Sequence, residues 1–564
     1  MNFKFSNKPT STKAASDDDI VKPHKYHKLG VMAESRLFYN KLDHSEYNSK
    51  FALIDKDTIL DETNADKQQK NIKNLSEVLL RKKWGLKKPK LLISVTGSAM
   101  NFQMKPNLRK VFRRGIAQAA KSTQAWILTG GTHAGVMKHV GDAMHEYSAW
   151  KNDDTAMNDQ QDPMSQENFI DVPVIGFCTY ETLTADTRKN IDYTMNPKNN
   201  NPVDGVVVRR VVEVPPDKKI GSTDRWALLD KNHTHFLLFS SHKNRTKIEN
   251  EEDPVFGEEI KIWSLIENYI IKNWDRPGRF QHRNLDRACS MEKKKNTIPA
   301  LLISIQGGPG TLDTILNHFK MNIPMVAIRS SGGWTDIICD LCGQYDNDFQ
   351  EIGKSRVSTR EPNAKIFEFT KKNENDCDQV ISFNKIDNDA DYKTSYKTIF
   401  ESKSNPEKFS GTFTGKEAVY AVLIVEKLMQ YNMANNRPID LTHVKKAIEI
   451  YKKKELVTIF ELNDNDDQLD TAMMQAVLSA QQNGANTENS ETTKVKKIHL
   501  AIDYDKAELI HEELYNDDTP LELEQLGGIF DQAILFRRPK FINLLHSARK
   551  LQTDFRRDFS IFRN

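Results

Sequence analysis

The sequence predicts an α/β protein, with a parallel sheet covered on both faces by helices and an α-helical, repeat-like segment after it. Two observations carry this. Short all-apolar runs alternate with longer amphipathic segments, the pattern of buried parallel strands and their crossover helices. Three of those runs stop directly at glycine-bearing turns, the punctuation expected where a strand hands over to a helix.

The first run, Leu91–Val95, stops at Thr96-Gly97. Leu108, Val111, Phe112, Gly115, Ile116 and Ala119 then recur at i, i+3, i+4 and i+7, which predicts one buried helix face. Ala125–Leu128 is a second strand, ended by Thr129-Gly130-Gly131, and a helix is predicted from Gly135 to the region of Tyr147. Val174–Phe177, Val206–Val208 and Phe236–Phe239 read as further strands. Ala300–Ile305 follows Pro299 and runs into Gln306-Gly307-Gly308-Pro309-Gly310-Thr311, while Met325–Ile328 follows Pro324 and ends at Ser330-Ser331-Gly332-Gly333. Such a succession is Rossmann-like. Beyond residue 410 helical patterns dominate. Thr414 and Glu417 are spaced as a capping box before Ala418–Met429, and His499–Tyr515 and Gly528–Leu551 read as the start of a stacked helical array.

Four regions follow: a polar, mostly disordered tail over 1–75, a nucleotide-binding core over 80–345, an insertion plus helical extension of the same domain over 346–480, and the start of a helical array over 495–564. Polar stretches at Lys151–Asn168, Lys371–Lys393 and Gln481–Lys494 read as surface insertions or linkers.

Composition narrows the function. With 81 basic and 78 acidic residues among 564, the net charge of +3 gives no reason to expect nucleic acid. Five thinly spread cysteines argue against a disulfide framework and for a reducing, cytoplasmic setting. Cys339 and Cys342 form a CxxC without the second pair a zinc site needs, so they read as an inert pair in a helix. The opening residues lack the apolar core of a signal peptide, and no apolar run is long enough to span a membrane.

The candidate site is the set of turns Thr96-Gly97-Ser98-Ala99, Thr129-Gly130-Gly131-Thr132 and Gly307-Gly308-Pro309-Gly310-Thr311. In open parallel sheets ligands sit beyond the carboxyl ends of the strands. Glycine there admits a ligand close to the backbone, and the next helix offers N–H groups and a positive dipole end, so phosphate is the natural guest. The bland alternative is that each glycine only turns the chain. Two sharper phosphate signatures fail: GxGxxG is absent from these turns, and Gly353-Lys354-Ser355 has Asp348 where a P-loop needs glycine. Lys105, Arg109, Lys110, Arg113 and Arg114 make the first core helix basic, either as a solvated face or as a surface for an acidic neighbour. His133, His139, His233 and His235 lack a carboxylate at ligand spacing, so no metal is expected.

Taken together, Trp84–Phe102, Met104–Gly115, Ala125–Gly141 and Gly307–Thr311 resemble the N-terminal homology region of melastatin-subfamily TRP channels, with its ADP-ribose-gated member the nearest in character. Asn232–Phe239 and Leu456–Gln475 fit the same resemblance, which covers roughly residues 80–480. It implies a domain of the SLOG superfamily, whose enzymes carry a GGxGTxxE loop with a glutamate that takes part in base release. Here Thr314 stands at that position and Asp313 lies one residue away, so the expectation is binding without turnover and no catalytic residue. The resemblance also implies ADP-ribose or a related nucleotide as ligand, contacting Thr96, Ala99, Gly307 and Gly308, with an aromatic position at Phe256. Two arginines that would face phosphate or ribose are matched by Trp263 and Gly333, and Arg329 lies close enough in sequence to compensate for the second. Partners implied are other subunits of a homotetramer and the remainder of a calcium-permeable channel polypeptide. A structural assembly domain with a degenerate pocket and a nucleotide hydrolase remain open as alternatives.

Overall fold

The computed structural model describes residues 31–37, 47–60, 64–156, 172–195, 226–241, 257–274, 297–343, 364–370, 377–387, 394–403, 405–431, 433, 438–462, 468–483, 490–510, 514 and 523–547. They form two compact units, one holding residues up to Val95 plus Ala99–Ala300, the other Thr96–Ser98 plus Leu301 onward. The expected core over 80–345 is thus shared between two units.

The first unit contains strands β1 (Val31–Leu37), β2 (Tyr47–Asp55), β3 (Leu92–Gly97, whose last two residues are assigned to the second unit), β4 (Trp126–Thr129), β5 (Val174–Thr179) and β6 (His235–Ser240). Their spatial order is β1-β2-β6-β5-β4-β3. Only β1, antiparallel to β2, departs from parallel pairing. Every side chain of β4, β5 and β6 is buried, which requires cover on both faces of the sheet. The cover comes from helices α1 (Ala65–Asn74, continued as a π-helix over Leu75–Lys83), α2 (Pro106–Thr123), α3 (Gly135–Ala156), α4 (Ala185–Met195) and α5 (Glu259–Asn273). Helix α2 starts with Pro106 at its first turn, where a missing N–H costs nothing, and ends on Gln124 in the left-handed region. It buries Leu108, Val111, Phe112, Gly115, Ile116 and Ala119, the face its spacing selects.

Part of the expected polar tail is built into this sheet. In β2, Phe51–Ile54 are buried, and Ser49 Oγ donates to His233 O across 184 residues at 2.7 Å. A short apolar run among polar neighbours is diluted in any composition window, and its strand is stabilised by pairing with the distant β6. Helix α3 likewise continues through the start of the expected Lys151–Asn168 insertion. The expected strand Val206–Val208, the Gly353-Lys354-Ser355 segment and Phe256 lie outside the described residues.

The second unit contains the parallel strands β7 (Ala300–Ile305), β8 (Met325–Ile328) and β13 (Val457–Phe460) in the order β7-β8-β13, with α6 (Pro309–Lys320) and α7 (Gly333–Gly343). A separate antiparallel sheet has the order β12-β11-β10-β9, from β9 (Ala364–Thr370), β10 (Cys377–Asp387), β11 (Thr394–Ser402) and β12 (Gly411–Thr414). It takes the place of the expected surface insertion at Lys371–Lys393. The alternation Ile381, Phe383 inward and Ser382, Asn384 outward gives β10 one buried face, as do Tyr396, Thr398 and Phe400 in β11. That face packs into one core with helix α8 (Lys416–Gln430), whose Ala418–Val425 are all buried, and with α9 (Leu441–Tyr451). The expected capping box at α8 does not form. Thr414 belongs to the β12 ladder, Gly415 at φ +61° is the cap, and Glu417 pairs with Lys452 at 2.9 Å.

Helices α10 (Leu469–Asn483), α11 (Ser490–Asp503) and α12 (Leu523–Leu535) complete the unit. They bury a cluster of their own that includes Leu478, Ile498, Ile502, Ile529, Phe541 and Leu545. Both ends of the expected linker Gln481–Lys494 are helical.

One buried group makes this fold sensitive to acid. His235, at the head of β6, packs against Trp84 with ring centroids 4.7 Å apart and the rings tilted by 46°, and its Nε2 has no hydrogen-bond partner among the described residues. Burial, with the charge of Lys50 nearby, lowers its pKa to about 3. The folded state therefore holds His235 neutral while the unfolded chain takes up a proton below the ordinary histidine range. Stability is full above that range and falls as pH drops towards about 3. Denaturant unfolding at pH 7 and pH 4.5 is expected to show a marked loss of stability at the lower pH, with a smaller loss in His235→Phe.

Candidate functional site

In the second unit, three loops meet beyond β7 and β8. Strand β7 ends at Ile305, after which Gln306 and Gly307 adopt φ +57° and +90°. Strand β8 ends at Ile328, and Ser330, Gly332 and Gly333 likewise have φ +64°, +93° and +63°. The two turns are stitched together by backbone. Trp334 N donates to Gly307 O at 3.1 Å and Thr335 N to Gln306 O at 2.8 Å. Gln306 N donates to Ser331 Oγ at 2.8 Å, and the buried hydroxyls of Ser304 and Thr335 lie 2.7 Å apart.

Glycine is required at both ends of this stitch. A Cβ at Gly333 would lie 2.5 Å from Gly307 O and 2.8 Å from Gln306 C, and one at Gly307 would lie 2.6 Å from Thr311 Oγ1. Gly333 is therefore a packing position, and the helix cannot carry an arginine there in this conformation. Asp336 secures the second turn by accepting from Ser331 N at 3.2 Å and Gly332 N at 2.9 Å. Burial pushes its carboxyl above the ordinary range, and those N–H bonds offset part of the rise.

Helix α6 opens from this platform. Gly308 is its N-cap, no side chain caps the first turn, and Pro309 follows. Gly308 faces open space, with no atom within 4 Å of an added Cβ, and Pro309 and Gly310 are exposed. Thr311 Oγ1 donates to Gly97 O at 3.3 Å, which fixes the Thr96–Ser98 turn against the start of α6. Thr96 itself is buried, Gly97 and Ser98 are half-buried, and Ala99, assigned to the first unit, is exposed. Thr96, Gly97, Ser98, Gly307, Gly308, Gly310, Thr311 and Gly333 thus share one unit. Thr314 is buried and bonds back to Gly310 O at 3.2 Å, while Asp313 pairs with Lys446 at 2.7 Å.

Arg329 is engaged by α7. It donates to Asp340 Oδ1 at 3.2 Å and Cys339 O at 2.9 Å, and Asp340 also pairs with Lys427 at 2.7 Å. Cys339 and Cys342 lie in α7, both as free thiols, and burial pushes the Cys339 thiol up.

The remaining sequence-selected residues are in the first unit. Trp263 lies in α5, 5% exposed, and stacks on Phe177 at 5.2 Å and 11°, a core position rather than a rim position. The Thr129–Gly131 turn closes on itself. Gly131 N donates to Thr129 Oγ1 at 2.9 Å, and a Cβ on Gly131 would meet Gly176 Cα at 2.6 Å. Thr129 Oγ1 lies 2.7 Å from His233 Nε2, His233 Nδ1 lies 3.0 Å from Asp230 Oδ1, and His133 Nδ1 lies 2.8 Å from Asp230 Oδ2.

Sequence reasoning missed this four-membered network. The dispersed histidines were its only signal, and their carboxylate comes from Asp230. Burial acts to raise the Asp230 pKa, but the histidine hydrogen bonds outweigh it and hold the carboxyl below its ordinary range. On α2, Arg113 turns to Asp142 and Glu146, while Lys105, Arg109, Lys110 and Arg114 stay exposed. His139 packs edge-on against Phe102 at 5.3 Å. Among the described residues no group of three or more His, Cys, Asp or Glu is placed to hold a metal ion, and no helix is long and apolar enough to cross a membrane.

The family model "SLOG in TRPM" matches residues 64–159 and 205–382, which take in the first two glycine turns and the platform of the third. This chain carries a SLOG domain of the TRPM type. Over 469 residues it is 24% identical to transient receptor potential cation channel subfamily M member 2 of Rattus norvegicus, covering 83% of this chain and 23% of that protein. The subfamily M member-like 2 protein of Nematostella vectensis is 32% identical over 265 residues, 47% of this chain and 14% of its own length. Subfamily M member 1 of Mus musculus is 25% identical over 285 residues. The chain therefore spans less than a quarter of the length of these relatives.

The SLOG core makes a direct prediction at Gly141. An alanine there would drive its Cβ into the Asp230 carboxylate. Glycine-to-alanine changes inside helices ordinarily stabilise by about 1 kcal/mol. Here Gly141→Ala is expected to destabilise by about 1–3 kcal/mol, read as a lower denaturation midpoint of the full chain.

Proposed function

We propose that this chain is the cytoplasmic nucleotide-sensing domain of a TRPM-type, calcium-permeable cation channel, and that it binds ADP-ribose or a related nucleotide without turning it over. The observation that carries this reading is the opening of α6. A helix N-terminus with no side-chain cap emerges beside an open glycine, on a turn whose other backbone groups are already tied to the next loop. Such an end carries partial positive charge and unspent N–H capacity, which suits a phosphate.

Binding without turnover is supported by Thr314, whose hydroxyl bonds to its own helix, and by Asp313, which is held by Lys446. No carboxylate is left at the position where the SLOG enzymes use one. The helical α10–α12 cluster is the natural conveyor of the bound state to the rest of a channel polypeptide, assembled as a tetramer. A ligand shifts that equilibrium only by its differential affinity for the two states.

A second reading, an assembly domain with a degenerate pocket, is favoured by one fact. Both positions matched to family arginines are filled by packing residues, Trp263 in the core and Gly333 in the stitch. Calorimetric titration of the full chain separates the two. The sensing reading expects heat and saturation with ADP-ribose, and silence from ADP-ribose, cyclic ADP-ribose, ATP and NAD would leave the assembly reading. A single substitution sharpens the result. Gly308→Asp has room for its side chain and supplies the missing cap, so thermal stability is expected to hold or rise slightly. The same carboxylate occupies the helix end and repels phosphate, so nucleotide affinity is expected to fall at least about ten-fold.

A further inference from the structure

Within the first unit, helix α2 is charged in one sense only. Its 18 residues include no Asp or Glu, while Lys105 is its N-cap and Arg109, Lys110, Arg113, Arg114 and Lys121 follow along it. Arg113 is paired with Asp142 and Glu146 of α3. The side chains of the other five are exposed and make no ion pair or hydrogen bond among the described residues. They follow two lines on the helix surface. Lys105 and Arg109 stand four residues apart on one, and Lys110, Arg114 and Lys121 recur at i, i+4 and i+11 on the other.

A helix stabilised for its own sake is arranged differently. Cations beside the first turn oppose the positive end of the helix dipole, and like charges four residues apart repel one another. A face that only meets water usually mixes the two signs. The field of these cations is felt inside the fold. Burial first, and then the charge of Arg113, hold His139 on α3 below the ordinary histidine range, with Arg109 and Lys138 adding to the effect and Asp142 opposing it.

We propose that the exposed face of α2 docks an acidic segment of a partner protein. From Lys105 to Lys121 the cations cover about 24 Å of helix axis, the reach of about seven residues of extended chain. Charge complementarity of this kind speeds encounter and fixes orientation. Other polyanions fit less well. The apolar side of α2, with Leu108, Val111, Phe112 and Ile116, is buried in the core, so the helix has no apolar face to lay into a bilayer. Successive residues of a helix point about 100° apart, so the lines through Arg109 and Lys110 diverge. A flat lipid surface meets one line squarely, whereas a peptide lying between them reaches both. Bases would need an aromatic platform, but Phe112 is buried and Phe102 packs on His139.

Fluorescence anisotropy of labelled octaglutamate with the full chain tests this, with octaglutamine as the uncharged control. Octaglutamate is expected to bind at low salt, to be released as salt rises, and to outcompete octaglutamine. The triple variant Arg109→Ala, Lys110→Ala, Arg114→Ala is expected to weaken it at least about five-fold. Lys70→Ala with Lys73→Ala, two exposed lysines of α1, is expected to leave it unchanged. Equal weakening by both sets of substitutions, or none by the first, overturns the assignment. The thermal midpoint of the triple variant is expected to hold or rise, because repulsion is relieved. A lower midpoint gives these cations a role in the fold instead and overturns it too. Phosphatidylcholine vesicles with about one-fifth phosphatidylserine are the competing probe. Retention of the chain on them without octaglutamate binding replaces the protein partner with a membrane.

Discussion

The stitch between Gln306–Gly307 and Ser331–Thr335 is the constraint on which the candidate phosphate site depends. Two glycines sit in the left-handed region and neither tolerates a β-carbon, Gly333 because it abuts the Gly307 carbonyl and Gly307 because Thr311 stands over it. The backbone groups of the two turns are consumed across the stitch, Gln306 O and Gly307 O by Thr335 N and Trp334 N, Gln306 N by Ser331 Oγ and Gly332 N by Asp336. What this leaves unconsumed is the start of α6. A turn pinned from behind presents its helix end in one orientation, so a ligand there meets a preorganised surface rather than a loop it must order.

The first unit solves a similar problem in the opposite way. Its glycine turn after β4 is pressed against β5, and its polar groups form a closed chain through Thr129, His233, Asp230 and His133. A carboxylate buried as deeply as Asp230 is tolerable only because it is hydrogen-bonded from several sides, and Gly141 on α3 exists to make room for it. The second glycine turn is therefore mainly architecture, while the third is open. Membership in the SLOG group explains why both persist in one chain. The fold supplies the turns, and the chemistry placed on each decides its use.

Much of this was legible in the sequence. Ala300–Ile305 and Met325–Ile328 emerge with the bounds their prolines and glycines mark, because a fully buried parallel strand is an uninterrupted apolar run. The basic helix showed its buried face through spacing alone. Elements stabilised by distant partners were not legible. Strand β2 depends on β6, β13 is a four-residue addition beside β8, and β9–β11 alternate within stretches polar enough to pass for an insertion. Among the candidate site residues, Gly307 and Thr311 announced the turn they form. The alignment matched Trp263 and Gly333 to two family arginines, and no residue-type match reveals that one ring stacks on Phe177 and that a β-carbon at the other would meet a carbonyl.

Amide hydrogen exchange of the full chain with and without ADP-ribose tests the central claim most directly, because it reads the backbone the account relies on. Saturating ligand is expected to slow exchange most strongly across Gly307–Leu312, with the α10–α12 cluster changing less. Protection confined to other segments, or an exchange pattern identical in both conditions, would contradict a phosphate seat at the start of α6.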